Sequence, residues 1–241
     1  MIAFASSIVT PHTYNRCAAA GIRRAAEPDS VTLAHAAAGS VARTYNLLLD
    51  RAGRLPDLEA LVILHEDAEI LDPDAAAKLR SVFADPQVAI VGCLGATGVS
   101  DLAWWDGDEV VGAMSYHHNE AGGGALRPAF VKELTGTRPV DSLYGVMLAL
   151  SPWAVANLRF DESVGLIHGY DFDICRQARL AGRTVCVTDV EIAHHHTLDL
   201  ITEVEVWVAA QMRAAELWDD RPPGADAPDD EWRRRARAAE A

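Results

Sequence analysis

The chain has 241 residues, 50% of them hydrophobic and 23% charged, with a formal net charge of -14. That size suits one large α/β domain carrying a short extension, and the composition leaves room for only local disorder. The acidic balance excludes nonspecific binding to nucleic acid or to anionic membranes through the global field, and no apolar run approaches the roughly 18–20 residues that span a bilayer.

The amino-terminal stretch Ile2 to Val9 is apolar but lacks a basic n-region, so it reads as a first strand rather than a signal peptide. It delivers the polar loop Thr10-Pro-His-Thr, and the spacing after it predicts a helix from Tyr14 to Ala26 with Thr13 as its cap. Val31 to His35 reads as a second strand. Ser40 then caps a helix from Val41 to Ala52. Leu58 to Leu64 is a Leu/Val/Ile run without polar alternation, the pattern of a strand buried on both faces of a parallel sheet. His65, Glu66, Asp67 and Glu69 follow at its carboxyl end, the edge at which open α/β sheets bind ligands. This β-α-β-α-β rhythm predicts right-handed crossovers and a parallel sheet.

Asp72-Pro-Asp-Ala opens a further helix through Phe83, with Asp72 as cap and Pro73 in the first turn. Val88 to Leu94 is another buried strand, after which the rhythm breaks. Leu102 to Trp105 and Val110 to Ser115 resemble a hairpin, and Gly122 to Gly124 a joint. This aromatic insertion is a candidate recognition loop, although a plain surface hairpin explains any single residue of it as well. Val140 to Leu150 is apolar, Pro152 to Leu158 a short helix, and Tyr170 to Ala181 a helix stopped by Gly182. Thr184 to Val187 is a strand. Glu191 to His196 leads into a last amphipathic helix from about Leu200 to Leu217. From Asp219 onward, Pro222-Pro-Gly and alternating charge blocks read as a linker and charged tail, giving a domain over 1–218 and a tail over 219–241. Four cysteines, Cys17, Cys93, Cys175 and Cys186, show no CxxC spacing and read as reduced core residues of a cytoplasmic protein.

Three features carry chemistry: His65-Glu-Asp67, Asp171-Phe-Asp173 and His194-His-His196. Singly, each has a bland reading as a helix cap, a dipole partner or a solvated loop. Together they are brought toward one crevice, where converging carboxylates are best rationalised by a hard divalent cation, Mn²⁺ or Mg²⁺, held by Asp67 and a histidine. A structural zinc site is disfavoured because the cysteines are neither paired nor near the histidines.

The order Val62-Ile-Leu-His-Glu-Asp67, Val140-Asp-Ser-Leu-Tyr-Gly, Phe160-Asp-Glu, Gly169-Tyr-Asp-Phe-Asp-Ile-Cys-Arg176 with Gly182, and Ile192-Ala-His194 resembles the family 2 type glycosyltransferases of the GT-A fold. Within them it is most similar to the StrF-like branch, in which His-x-Asp replaces Asp-x-Asp. Ser40 through Asn46 matches that branch's early helix. The resemblance covers roughly Ile2 to Thr197. It implies the α/β GT-A, or nucleotide-diphospho-sugar transferase, fold: a Rossmann-like, mostly parallel central sheet flanked by helices. It further implies transfer of a sugar from a nucleotide-sugar donor to a hydroxyl-bearing acceptor (a glycan, peptide or small molecule), with inversion. Asp67, His194 and His196 would serve the metal, and Asp171 would be the general base. Thr10, His35, Ser40, Asn46, His65 and Glu66 would meet the donor. His65 and Tyr170 stand where the family commonly has aspartate and glutamate. A homo-oligomer is compatible with this reading. Two alternatives use the same residues: a metal-dependent phosphohydrolase, and a catalytically inactive GT-A binding or assembly protein.

Overall fold

The computed structural model describes residues 1–117, 126–129, 134, 136–195 and 204–218. The glycine joint, His196, the stretch expected to begin the last helix near Leu200, and the tail from Asp219 lie outside the described residues. Strand β1 (Ile2–Ile8) leads through α1 (Pro11–Arg16) and α2 (Ala18–Ala25) to β2 (Val31–Ala36), α3 (Val41–Ala52) and β3 (Ala60–Leu64). Next come β4 (Ala68–Ile70), α4 (Ala75–Phe83) and β5 (Val88–Gly92). The chain then leaves the main sheet for β6 (Leu94–Thr97), one 3-10 turn at Trp104–Asp106, β7 (Glu109–Gly112), β8 (Met114–His117) and β9 (Leu126–Ala129). It returns through β10 (Arg138–Pro139), β11 (Ser142–Leu143) and β12 (Met147–Leu150). After α5 (Pro152–Asn157) come α6 (Tyr170–Leu180), β13 (Thr184–Val187) and β14 (Ile192–His194), and α7 (Val204–Trp218) is the last described helix.

Seven strands form the central sheet in the order β10-β13-β5-β12-β3-β1-β2. Alternate residues feed opposite cores, as the period of two requires. Ala3, Ala5, Leu61 and Ile63 pack with Tyr45, Leu48 and Leu49 of α3 and Ile174 of α6. Ile2, Phe4, Val62 and Leu64 pack instead with Ile22 of α2 and Leu79 of α4. Burial on both faces is why these strands carry no polar alternation.

The sheet is the α/β, mostly parallel one predicted, with a correction. β12 runs antiparallel to both β3 and β5, and β10 antiparallel to β13. Between β5 and β12 the chain also builds a three-stranded sheet (β11-β6-β7), and its β8 and β9 join β4 and β14 in a four-stranded one. The strand that re-enters beside β3 therefore runs opposite to its neighbours, and because it is apolar on both faces its direction leaves no mark on its composition.

Helix ends show where local signals hold. Ser40 Oγ accepts from the Arg43 N–H at 3.1 Å and Ser151 Oγ from the Ala154 N–H at 3.2 Å, so α3 and α5 begin at serine caps. The helix expected over Tyr14–Ala26 is instead two. It starts earlier, with Pro11 in its first turn, and breaks at Cys17, because the Ala18 N–H donates to the Glu66 carbonyl at 3.3 Å. Asp72 does not cap α4. Its Oδ1 accepts from the Asp74 N–H at 2.9 Å in a turn preceding the helix, and its carboxylate pairs with Lys78 at 2.8 Å. The expected hairpin of Leu102–Trp105 with Val110–Ser115 is also corrected: β7 pairs with β6, and the tryptophans occupy the intervening 3-10 turn. All four cysteines are buried and unbridged, and among the described residues no helix is long and apolar enough to cross a membrane.

Candidate active site

At the carboxyl end of β3 the chain turns through His65-Glu-Asp67 and re-enters as β4, the turn closed by the Ala68 N–H on the His65 carbonyl at 3.1 Å. β4 pairs antiparallel with β14 in a register that sets Ala68 opposite His194, and the His195 N–H donates to the Asp67 carbonyl at 2.8 Å. This pairing, absent from the sequence reading, unites motifs more than 120 residues apart. His65, Asp67 and His194 offer ligand atoms that all lie within 4.8 Å of one another. His194 Nε2 is 3.3 Å from Asp67 Oδ1, and Tyr144 Oη is 3.3 Å from His194 Nδ1. Burial works to raise the Asp67 carboxyl, but the His194 hydrogen bond and the two imidazoles outweigh it and hold Asp67 well below the usual carboxylate range. One carboxylate oxygen and two imidazole nitrogens form a donor set that fits a divalent cation.

The other predicted positions divide by what they touch. Glu66 turns from the cluster, its Oε2 accepting from the Val9 and Thr10 N–H groups at 2.7 and 2.8 Å, which fastens the loop after β1. His35 is the next-to-last residue of β2, with its Nδ1 2.6 Å from the Ala36 carbonyl. Asn46 uses both amide atoms on Phe160, donating to its carbonyl at 2.9 Å and accepting from its N–H at 3.0 Å. Ser40 caps α3 as described. Glu69 pairs with Arg24 and His195, each at 2.8 Å, tying α2 to the β4–β14 pair.

Asp171 lies in the first turn of α6, which opens at Gly169 with φ at +83°, a left-handed conformation that glycine adopts without strain. Its Oδ2 accepts from the Gly145 N–H at 2.9 Å and its Oδ1 from the Phe172 N–H at 3.0 Å. Burial of the carboxylate prevails over these donors and pushes its pKa up to about 6, where a carboxyl can take a proton near neutral pH. Asp173 is itself buried and accepts from Gln177 Nε2 at 2.7 Å, a brace for the helix.

One turn joins the two halves of the site. Tyr144 reaches His194, the Gly145 N–H holds Asp171, and the Val146 carbonyl accepts from the His65 N–H at 3.1 Å. Sequence reasoning missed Tyr144 as a site residue. Its signal was a hydroxyl-bearing ring followed by glycine inside an apolar run. Trp104 stacks behind Tyr144 at 5.3 Å between ring centroids, so the aromatic insertion forms one wall of the site. Its Leu102 packs with Phe172 of α6 and Ala210 and Ala214 of α7.

A family model described as "Glycosyltransferase like family" matches residues 3–221. The chain belongs to this glycosyltransferase-like family. The streptomycin biosynthesis protein StrF of Streptomyces griseus is 28% identical over 200 residues, which cover 81% of this chain and 66% of StrF, so the chain spans just under two thirds of that relative. Among solved structures, A197 from STIV aligns at 13% identity with a TM-score of 0.48, covering 78% of this chain and 81% of that one. A glycosyltransferase involved in glycosylation of the PBCV-1 major capsid protein aligns at 8% identity with a TM-score of 0.34, covering 64% and 62%. With the family established, the α/β sheet described above is that of the GT-A class, and His65 and Tyr170, singled out in the sequence, are found together. His65 Nε2 and Tyr170 Oη are in hydrogen-bond contact, 2.5 Å apart.

Proposed function

We propose that the chain transfers a sugar from a nucleotide-sugar donor to a hydroxyl acceptor with inversion and depends on a divalent cation, Mn²⁺ or Mg²⁺. The observation that carries this reading is the convergence of His65, Asp67 and His194 beside a separate, partly buried carboxylate, Asp171, in a member of a glycosyltransferase-like family. His65, Asp67 and His194 would hold the cation, which when bound offsets the charge gathering on the diphosphate leaving group. Thr10, just after β1, and His35, near the end of β2, would meet the nucleotide. Glu66, Ser40 and Asn46 act on that side by shaping its loops.

Asp171 is the general base. As the acceptor oxygen bonds to the anomeric carbon, the bond from that carbon to the diphosphate breaks, the electron pair leaves with the nucleoside diphosphate, and the acceptor proton passes to Asp171. The Gly145 and Phe172 N–H groups aim the carboxylate, and its value near 6 leaves it ionised at pH 7.5 yet basic enough to accept a proton.

The test is incubation of the purified full chain with a panel of nucleotide sugars, Mn²⁺ and candidate sugar or peptide acceptors, reading nucleoside diphosphate release and the anomeric configuration of the product. Acceptor-dependent release with inverted product supports the reading. Release that ignores every acceptor would favour the phosphohydrolase. Donor binding without any release would favour the inactive binding protein.

A further inference from the structure

Tyr170, at the first position of α6, reaches across to the histidine cluster. His65 and Tyr170 are 105 residues apart in sequence, yet the Tyr170 hydroxyl lies against His65 Nε2. The phenol is placed with care. Tyr45 packs edge-on against the Tyr170 ring at 5.4 Å between centroids, and residue 145 is a glycine where a Cβ would overlap the Tyr170 hydroxyl. His194 is handled in the same way, with Tyr144 Oη at Nδ1 while Nε2 faces Asp67. Each imidazole of the cluster therefore has one nitrogen held by a tyrosine hydroxyl. Outer partners of this kind set ring orientation, and losing one typically weakens metal affinity about 10- to 100-fold.

The histidine at position 65 also changes what the site can prefer. Carboxylate oxygens alone suit Mg²⁺ and Mn²⁺ alike. A His-x-Asp with a second histidine offers two nitrogens and one oxygen, a set that strongly hydrated, oxygen-seeking Mg²⁺ takes poorly and first-row transition cations take well. We infer that Tyr170 is a positioning residue that orients His65 as a nitrogen donor, and that the site in consequence selects a first-row transition cation, represented by Co²⁺ and Mn²⁺, over Mg²⁺. The inference rests on the cation reading given under Proposed function and narrows it.

The experiment uses the full chain stripped with EDTA and titrated separately with Co²⁺, Mn²⁺ and Mg²⁺ by calorimetry, with visible absorption recorded for Co²⁺. The wild type should bind Co²⁺ and Mn²⁺ more tightly than Mg²⁺. Tyr170→Phe, which keeps the ring and removes only the hydroxyl, should weaken Co²⁺ binding about tenfold or more and alter the Co²⁺ bands, an effect that a purely structural tyrosine would not produce. His65→Asp should lower the ratio of Co²⁺ to Mg²⁺ affinity at least about tenfold, and if Tyr170→Phe fails to fold this second comparison decides alone. Mg²⁺ binding as tight as Co²⁺ in the wild type, or an unchanged affinity ratio in His65→Asp, or unchanged Co²⁺ binding in folded Tyr170→Phe, overturns the inference and leaves sugar transfer standing. No binding of any of the three cations, alone or with a nucleoside diphosphate, overturns the cation reading itself.

Discussion

Replacing Asp171 with asparagine separates its chemical role from its structural one, because the two predict opposite pH behaviour. The folded-state pKa is about 6 against an ordinary value of 3.8. The native protein thus binds this proton more tightly than the unfolded chain does. The stability this group contributes is fully present below 3.8 and is lost as pH rises through about 6. At about 1.36 kcal/mol per pH unit the loss comes to about 3 kcal/mol. Asparagine never ionises, but it keeps one acceptor oxygen where aspartate presents two, to the Gly145 and Phe172 N–H groups, so one contact goes at a cost of about 1–3 kcal/mol. Asp171→Asn should therefore be less stable than wild type near pH 4 and equal or more stable near pH 8, read by urea unfolding at both. Sugar transfer should fall about 10²- to 10⁴-fold at pH 7.5, and wild-type kcat/KM should drop about tenfold per pH unit below about pH 6. A stability difference independent of pH would refute the burial argument. Near-wild-type turnover would refute the base.

Asp67→Ala should reduce Mn²⁺-dependent binding of a nucleoside diphosphate at least about 100-fold by calorimetry while preserving the circular dichroism spectrum, since the Asp67 carbonyl, not its side chain, pairs with the His195 N–H. Asn46→Ala strips both partners from the Phe160 backbone and should lower unfolding free energy by about 1–3 kcal/mol; a smaller change would mean that water replaces the clamp. Truncation before Asp220 should leave the melting temperature within about 2 °C of the full chain, because the proline- and charge-rich composition beyond it provides little apolar surface to bury. A large drop would show that the tail packs on the domain or on a second copy.

The parts of the fold legible in the sequence were those governed by short-range chemistry. Ser40 had a capping hydroxyl just before an amphipathic run, and α3 begins where that signal places it. The five residues of β3 are all buried, as their uniform apolarity implies. What was not legible depends on pairing across long separations. Nothing in Met147–Leu150 tells its direction in the sheet, because a strand buried on both faces looks the same either way round. β4 is three residues long, too short for any periodicity, yet its pairing with β14 is what assembles the cluster. Asp67, Asp171 and His194 could be nominated from motif order. That His65 joins Asp67 and His194, and that Tyr144 and Tyr170 hold the rings, required coordinates, since hydroxyl–imidazole contacts over 50 and 105 residues leave no local trace.

The turn Tyr144-Gly145-Val146 has a consequence for how changes at this site combine. Tyr144 and Val146 hold the two histidines and Gly145 holds Asp171, and the turn leads directly into β12, whose four residues are completely buried at the centre of the sheet. A displacement of that turn would reach the clustered histidines and Asp171 in one movement. Substitutions at His194 and Asp171, although on separate elements, should therefore show non-additive effects when combined, in contrast to pairs that share no partner. The same anchorage means that the polar groups need little rearrangement as the reaction proceeds, the condition under which fixed dipoles are most effective. The tryptophan insertion is tied to the same turn, since Trp104 packs on Tyr144, so a change there would be felt by the histidines as well.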